Sequence, residues 1–228
     1  LSGLVGSEMC IRDRTLTGSS AGTESGVIAT TTGTVTKAGS GTWTLAGANT
    51  YSGVTTINAG VETATTLANG GAASSIGVST AVAANLVLGG GTLQYTGATA
   101  STNRAFTLTA GTTSSVDVTT GGTNLTISGA SATTTGGLTK MGSGTLTLSG
   151  ANAYTGATTI NAGTLSVTNA AALDTASSLV VNSVGTFDIN NVTLNTLGSV
   201  SIQGAGNGGV GAITGTGTGA VYGGAVTM

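Results

Sequence analysis

The chain contains one sentence written twice. The stretch KMGSGTLTLSGANAYTGATTINAGTL, Lys140 to Leu165, has a near copy at Lys37 to Glu62, KAGSGTWTLAGANTYSGVTTINAGVE. From Lys37 to Gly60, 18 of 24 positions match their partners 103 residues later. Internal self-similarity at this scale is the signature of a repeat architecture, because a repeated unit cannot bury its apolar face alone and must pair with its neighbour. Within the unit, Thr145-Leu146-Thr147-Leu148 alternates with period 2, which puts the leucines on one side of a strand and the threonines on the other. The unit offers three short strands, Thr145–Leu148, 157–160 and 164–167. The connections SGANAYTG and NAG differ in length, which disfavours a run of hairpins and favours a stack of coils.

Gly and Asn at the corners tolerate positive φ, and Thr and Val suit flat faces. Asparagines at equivalent corners are expected to stack their amides from coil to coil. The chain has no proline, in keeping with unbroken backbone ladders. Weaker echoes of a strand and turn occur at Ala84 to Gly97, Thr123 to Gly129 and Ser177 to Asn190. Ala-rich stretches at residues 64–77 and 168–178 are the places for a short helical turn. The expected fold is all-β, a right-handed parallel β-helix (β-solenoid) of roughly nine or ten coils, on the order of 45 Å long.

Composition narrows function. Charged residues are 5% of the 228, net charge is −2, and histidine is absent. This gives no reason to expect nucleic acid as a partner. No run of about 18 apolar residues offers a membrane-spanning helix. The segment Leu4 to Arg14, LVGSEMCIRDR, is unlike the rest: it holds Glu8, Arg12, Asp13 and Arg14, which are 4 of the 12 charges, and Cys10, the only cysteine. It resembles a translated sequencing adapter, since Met9 to Asp13 back-translates to ATG TGT ATA AGA GAC. Residues 1–14 are therefore expected to be adapter-derived or disordered, with the authentic N-terminus and any signal peptide lost, and residues 15–228 to be the solenoid, with repeat blocks at 37–62 and 140–165.

The combination Gly-Thr-Leu-Thr-Leu, Gly-Ala-Asn-x-Tyr-x-Gly and Thr-Ile-Asn-Ala-Gly closely resembles the autotransporter-associated β-strand repeat. In the first copy Val61-Glu62 stands where the second has Thr164-Leu165. The resemblance covers the two blocks. It implies a parallel β-helix in the passenger region of a bacterial surface protein, exported and displayed outside. It brings no catalytic residues.

Catalytic, cofactor and metal residues are accordingly expected to be none. The acids outside the first fourteen residues are Glu24, Glu62, Asp117, Asp174 and Asp188. A carboxylate pair for polysaccharide chemistry would have to come from Asp174 and Asp188, 14 positions apart. Arg104 and Asp117 could form a surface ion pair. The segment Gly204 to Ala212 has the glycines of a calcium-binding repeat without its Asp. No phosphate loop is present. Tyr51 and Tyr154 are expected to pack over corners rather than form a carbohydrate-stacking ladder. The Thr-x-Thr pairs (Thr15–Thr17, Thr42–Thr44, Thr107–Thr109, Thr145–Thr147) read as ordinary strand faces, with an ice-binding array as the rival reading.

The function expected is a structural stalk or adhesive passenger region at the cell surface, anchored in the outer membrane in the full-length protein. Its partners would be a host cell, a glycan or a second copy. The alternatives are a β-helical polysaccharide-active enzyme with its site in missing sequence, or a glycan- or ice-binding solenoid. Inward-facing residues are expected at Leu146, Leu148, Ile160, Leu165 and Val167, and at Trp43, Leu45 and Ile57 of the copy, with the threonines between them in solvent.

Overall fold

A computed structural model describes residues 13–194 and 197–228. The chain is all-β, a solenoid of parallel strands wound into stacked coils. Its helical content among the described residues is two single 3-10 turns, Ala83–Asn85 and Asn207–Gly209. The Ala-rich stretches 64–77 and 168–178 form turns instead.

Among the described residues, three long parallel ladders run along the rod, beside a two-stranded parallel pairing of Thr193–Leu194 with Val221–Tyr222. The first joins Arg14–Leu16, Val35–Lys37, Thr55–Ile57, Leu86–Leu88 and Thr107–Leu108. The second joins Gly22–Glu24, Thr42–Leu45, Val61–Ala64, Thr92–Tyr95, Thr113–Val118 and Gly137–Met141, then the first half of Thr158–Val167, the first half of Ser178–Asn190, and Ser199–Ile202. The third starts at Ala100–Thr102 and continues through Asn124–Ile127, Thr145–Leu148, the second halves of the two long strands, and Ile213–Thr216.

The strand at Thr145–Leu148 lies where the alternation predicts it. The next two do not complete one coil with it. Thr158 pairs with Leu138, and Thr164 pairs with Thr145, so residues 158–167 are one strand bent across a corner in the following coil. The repeat block thus spans parts of two coils, and it is preceded by a strand, Gly137–Met141, that the alternation did not reveal.

The two blocks do not occupy equivalent faces. In the first, Val35–Lys37 lies on the first ladder and Thr42–Leu45 on the second. In the second, Gly137–Met141 lies on the second ladder and Thr145–Leu148 on the third. The frame shifts by one face between them. The chain takes an extra loop where Ile57 pairs with Leu88, a step of 31 residues, against 20 from Lys37 to Ile57. Coil length therefore varies, and the ladder a strand joins depends on how much chain precedes it.

The core is a thin file of aliphatic side chains. Leu45, Ile57, Leu146, Leu148, Ile160, Leu165 and Val167 are all fully buried. Trp43 also points inward but is half-buried; its indole lies over Gly22 and its Nε1 donates to Thr17 O at 2.9 Å. Thr145 is half-buried on the outer side, as expected, whereas Thr147 is buried. A flat parallel sheet brings neighbouring strands' side chains close enough to cover it, and its Oγ1 donates to Asn124 Oδ1 at 2.9 Å.

The segment Leu4 to Arg14 lies mostly outside the described residues. Its last residue, Arg14, belongs to the first ladder, paired with Val35, so the strand begins one residue before the expected boundary. Asp13 Oδ1 accepts from Thr34 N at 3.0 Å and from Thr34 Oγ1 at 2.9 Å.

The glycine of Asn-Ala-Gly shows why the corner is written the same way twice. Gly60 and Gly163 have φ of 63° and 65°. A Cβ on Gly163 would collide with the carbonyls of Gly142 and Gly144, the coil above. Gly163→Ala is expected to cost about 2 kcal/mol through left-handed strain and displaced backbone. Chemical denaturation would measure it; a cost below roughly 0.5 kcal/mol, the size of an ordinary surface substitution, would contradict this account.

Candidate functional site

Between Ser25 and Leu173 the chain carries five charges: Lys37, Glu62, Arg104, Asp117 and Lys140. Four of these are buried, and Asp117 is half-buried. The usual arrangement is reversed, with ionic groups inside and an exterior of hydroxyls, amides and small apolar groups.

Lys37 and Lys140 are equivalent in the two blocks, and each is the final inward residue before a corner. Lys140 Nζ donates to Met141 O at 2.6 Å, Gly142 O at 2.9 Å and Ala162 O at 3.2 Å. Lys37 Nζ donates to Gly39 O, and to Ala59 O at 3.0 Å. Each ammonium therefore ties its own corner to the corner of the next coil. Burial lowers both pKa values: it outweighs the pull of Glu62 on Lys37, and it brings Lys140 down to about 8 against the pull of Asp117. Lys140→Met keeps the stem and deletes three donors. It is expected to cost about 2 kcal/mol. The folded pKa lies below the unfolded one, so the Lys140 contribution is largest above pH 10.5 and falls as pH drops to about 8; the variant should lose that slope in denaturation profiles. An unchanged slope would rule the assignment out.

Glu62 occupies the position of Leu165 in the other block. It pairs in register with Trp43 and Leu93, is fully buried, and neither carboxylate oxygen has a hydrogen-bond partner among the described residues. Burial pushes its pKa up to about 8, against the attraction of Lys37. Tyr51, nearby, is raised mainly by burial and secondarily by Glu62.

Arg104 does not reach Asp117. Its guanidinium is buried under the loop of the long coil and donates to Ala68 O (3.1 Å), Ala72 O (3.3 Å), Gly77 O (2.8 Å), Ser79 O (3.0 Å) and Ser79 Oγ (2.8 Å). Asp117 Oδ2 instead accepts from Gln94 Nε2 at 2.9 Å, and Gln94 Oε1 accepts from Thr63 at 2.8 Å. Asp174 and Asp188 are not brought together. Asp174 Oδ1 accepts from Ala176 N at 2.8 Å within its own turn. Asp188 accepts from Ser166, Thr214 and Thr216 on neighbouring strands. Glu24 pairs with Arg14 at 2.6 Å near the first coil. Among the described residues, no three His, Cys, Asp or Glu side chains are grouped to hold a metal ion.

Tyr51 and Tyr154 are fully buried, their hydroxyls 2.7 Å and 2.8 Å from Thr55 Oγ1 and Thr158 Oγ1. Their rings fill the corner, so they cannot stack on a sugar. The corner asparagines do not stack as expected. Asn49 accepts from Ile28 N and donates to Ser75 O, both at 2.8 Å. Asn152 accepts from Ser131 N at 2.8 Å and donates to Ala172 O at 2.9 Å. Each amide bridges the backbone above to the backbone below, supplying a ladder bond where the strand has ended. An amide-to-amide contact occurs at Asn182 and Asn161, at 2.6 Å.

On the outside, register aligns Thr15, Thr36, Thr56, Val87 and Thr107 along the first ladder. The valine interrupts the threonine file. The Lys and Glu positions were missed in the sequence, although Lys140 is the single charge of its 26-residue block and Glu62 breaks the Thr-Leu pattern.

The parallel solenoid, with its equivalent corner lysines and bridging asparagines, is similar to autotransporter passenger repeats. Residues 35–61 and 138–167 match the passenger-associated-transport-repeat family. The chain is 42% identical over 176 residues to the adhesin BmaC autotransporter of Brucella suis biovar 1 (strain 1330), an alignment covering 69% of this chain and 5% of that protein. No solved structure matches the chain.

Proposed function

We propose that this chain is a rigid passenger segment of an exported bacterial surface protein, displayed outside the cell and held by an outer-membrane anchor elsewhere in the full-length product. It acts as a stalk and an adhesive face without catalysis. The observation that carries this reading is the placement of charge. Ionic groups are spent inside, holding corners and a loop, while the exterior between Ser25 and Leu173 retains Asp117 as its charged side chain. Such a face makes contacts through hydroxyls and amides rather than by long-range attraction. Each coil adds about 4.8 Å of hydrogen-bonded rise, so length accrues without a thick core. Similarity to a far longer adhesin autotransporter supports the same reading.

The test begins with the complete locus and fractionates cells making the whole product. The segment should be cut by protease added to intact cells, and its deletion in frame should lower attachment to host cells or glycan-coated surfaces. A product confined to the cytosol, inaccessible to protease until lysis, would overturn the proposal.

A further inference from the structure

Asn-Gly occurs twice, at Asn69-Gly70 and Asn207-Gly208. This dipeptide is the reactive one for main-chain attack on an asparagine amide, because glycine leaves its nitrogen unshielded, and asparagine is accordingly among the thermolabile residues. The structure separates the two copies. Gly70 N donates to Asn103 Oδ1 at 2.9 Å, and Asn69 Oδ1 accepts from Asn103 N at 2.9 Å. The nucleophile and the side chain it would attack are both held by one residue of the next coil.

Asn207 is held differently. Its backbone N donates to Thr186 Oγ1 at 2.9 Å, but its side-chain amide has no partner among the described residues, and neither has Gly208 N. Gly208 sits at φ 61°, and a Cβ placed on Gly208 or Gly209 would meet nothing within 4 Å. The adjoining Val210 is 67% exposed. Solvent base reaches the amide, and neither group has to break a hydrogen bond to react.

We infer that Asn207 is a site of spontaneous deamidation through a cyclic imide. Gly208 N gives its proton to solvent base and bonds to Asn207 Cγ. The Cγ–N bond of the side-chain amide breaks, and ammonia leaves after taking up a proton. Water then adds to either imide carbonyl, giving aspartate or isoaspartate; nothing is oxidised or reduced. Either product puts a carboxylate in a loop that has none. Isoaspartate also lengthens the main chain by one methylene beside the Asn207–Thr186 bond, which ties the loop between Ser199–Ile202 and Ile213–Thr216 to the preceding coil.

The experiment ages the full chain at pH 8.5 and 37 °C and maps peptides by mass spectrometry at intervals. The peptide holding Asn207 should gain about one mass unit, with a later-resolving isoaspartyl form. Conversion should be at least roughly tenfold faster than at Asn69, where hydrogen bonds must first break. Asn103→Ala, which frees Gly70 N, should raise Asn69 towards the rate of Asn207 and leave Asn207 unchanged. Equal rates at the two sites in the unsubstituted chain would overturn the inference. So would an unmodified Asn207 under conditions that convert a short peptide of the same sequence.

Discussion

Glu62→Leu is expected to stabilise the protein, by roughly 1–4 kcal/mol at pH 9, the range seen when a buried ionic group gives way to a well-packed apolar one. Leucine is the residue that fills the equivalent position, Leu165, in the other block, so its volume suits the site. The carboxylate has no hydrogen-bond partner among the described residues to lose. Lys37 keeps the carbonyls of Gly39 and Ala59 after the exchange. The pH dependence carries the sharper test. The folded pKa of Glu62, about 8, lies above the ordinary value of 4.5, so the folded chain holds a proton that the unfolded chain releases. Stability should therefore be full below pH 4.5 and fall as pH rises to about 8, by an amount on the order of 4 kcal/mol. Glu62→Leu should flatten that interval, and Glu62→Gln should flatten it without the same gain at pH 9, since an unpaired amide remains. Urea midpoints at a series of pH values would decide. A wild-type profile already flat between pH 5 and 8 would refute the account.

Arg104→Ala should have the largest destabilising effect, about 4 kcal/mol or more, because it removes one side chain that serves four residues of a single loop. The carbonyls of Ala68, Ala72, Gly77 and Ser79 face inward and lose their donor together. Arg104→Lys should recover little, since one ammonium cannot follow the fork of a guanidinium. The damage should be local before it is global. Hydrogen exchange should quicken first across residues 66–82, while strands 158–167 and 178–190 keep their protection. Uniform acceleration along the rod, or a loss below about 1 kcal/mol, would show that the loop is held by other means.

The two blocks show how far local pattern reaches. The file Leu146, Leu148, Ile160, Leu165, Val167 is buried as the period-2 alternation requires, because successive side chains of any strand must take opposite sides. The corner at Asn-Ala-Gly is equally local: positive φ and a carbonyl overhead leave room for glycine alone. Parallel stacking followed from repetition itself, and the echoes at Ala84 to Gly97, Thr123 to Gly129 and Ser177 to Asn190 all contain strands.

The sequence by itself determined that this chain stacks coils, which residues line them and where many of the corners fall. All three are set within a few residues by side-chain alternation and backbone sterics. Only the tertiary structure decided which ladder each strand joins, and what Lys37, Lys140 and Arg104 hold. Ladder membership depends on the summed length of every earlier coil, including the 31-residue step from Ile57 to Leu88, so two blocks with nearly the same wording lie on different faces. The buried cations bind backbone carbonyls, and every residue, glycine included, carries the same carbonyl. No residue letter marks such a partner, and it exists as a partner only once the next coil is in place.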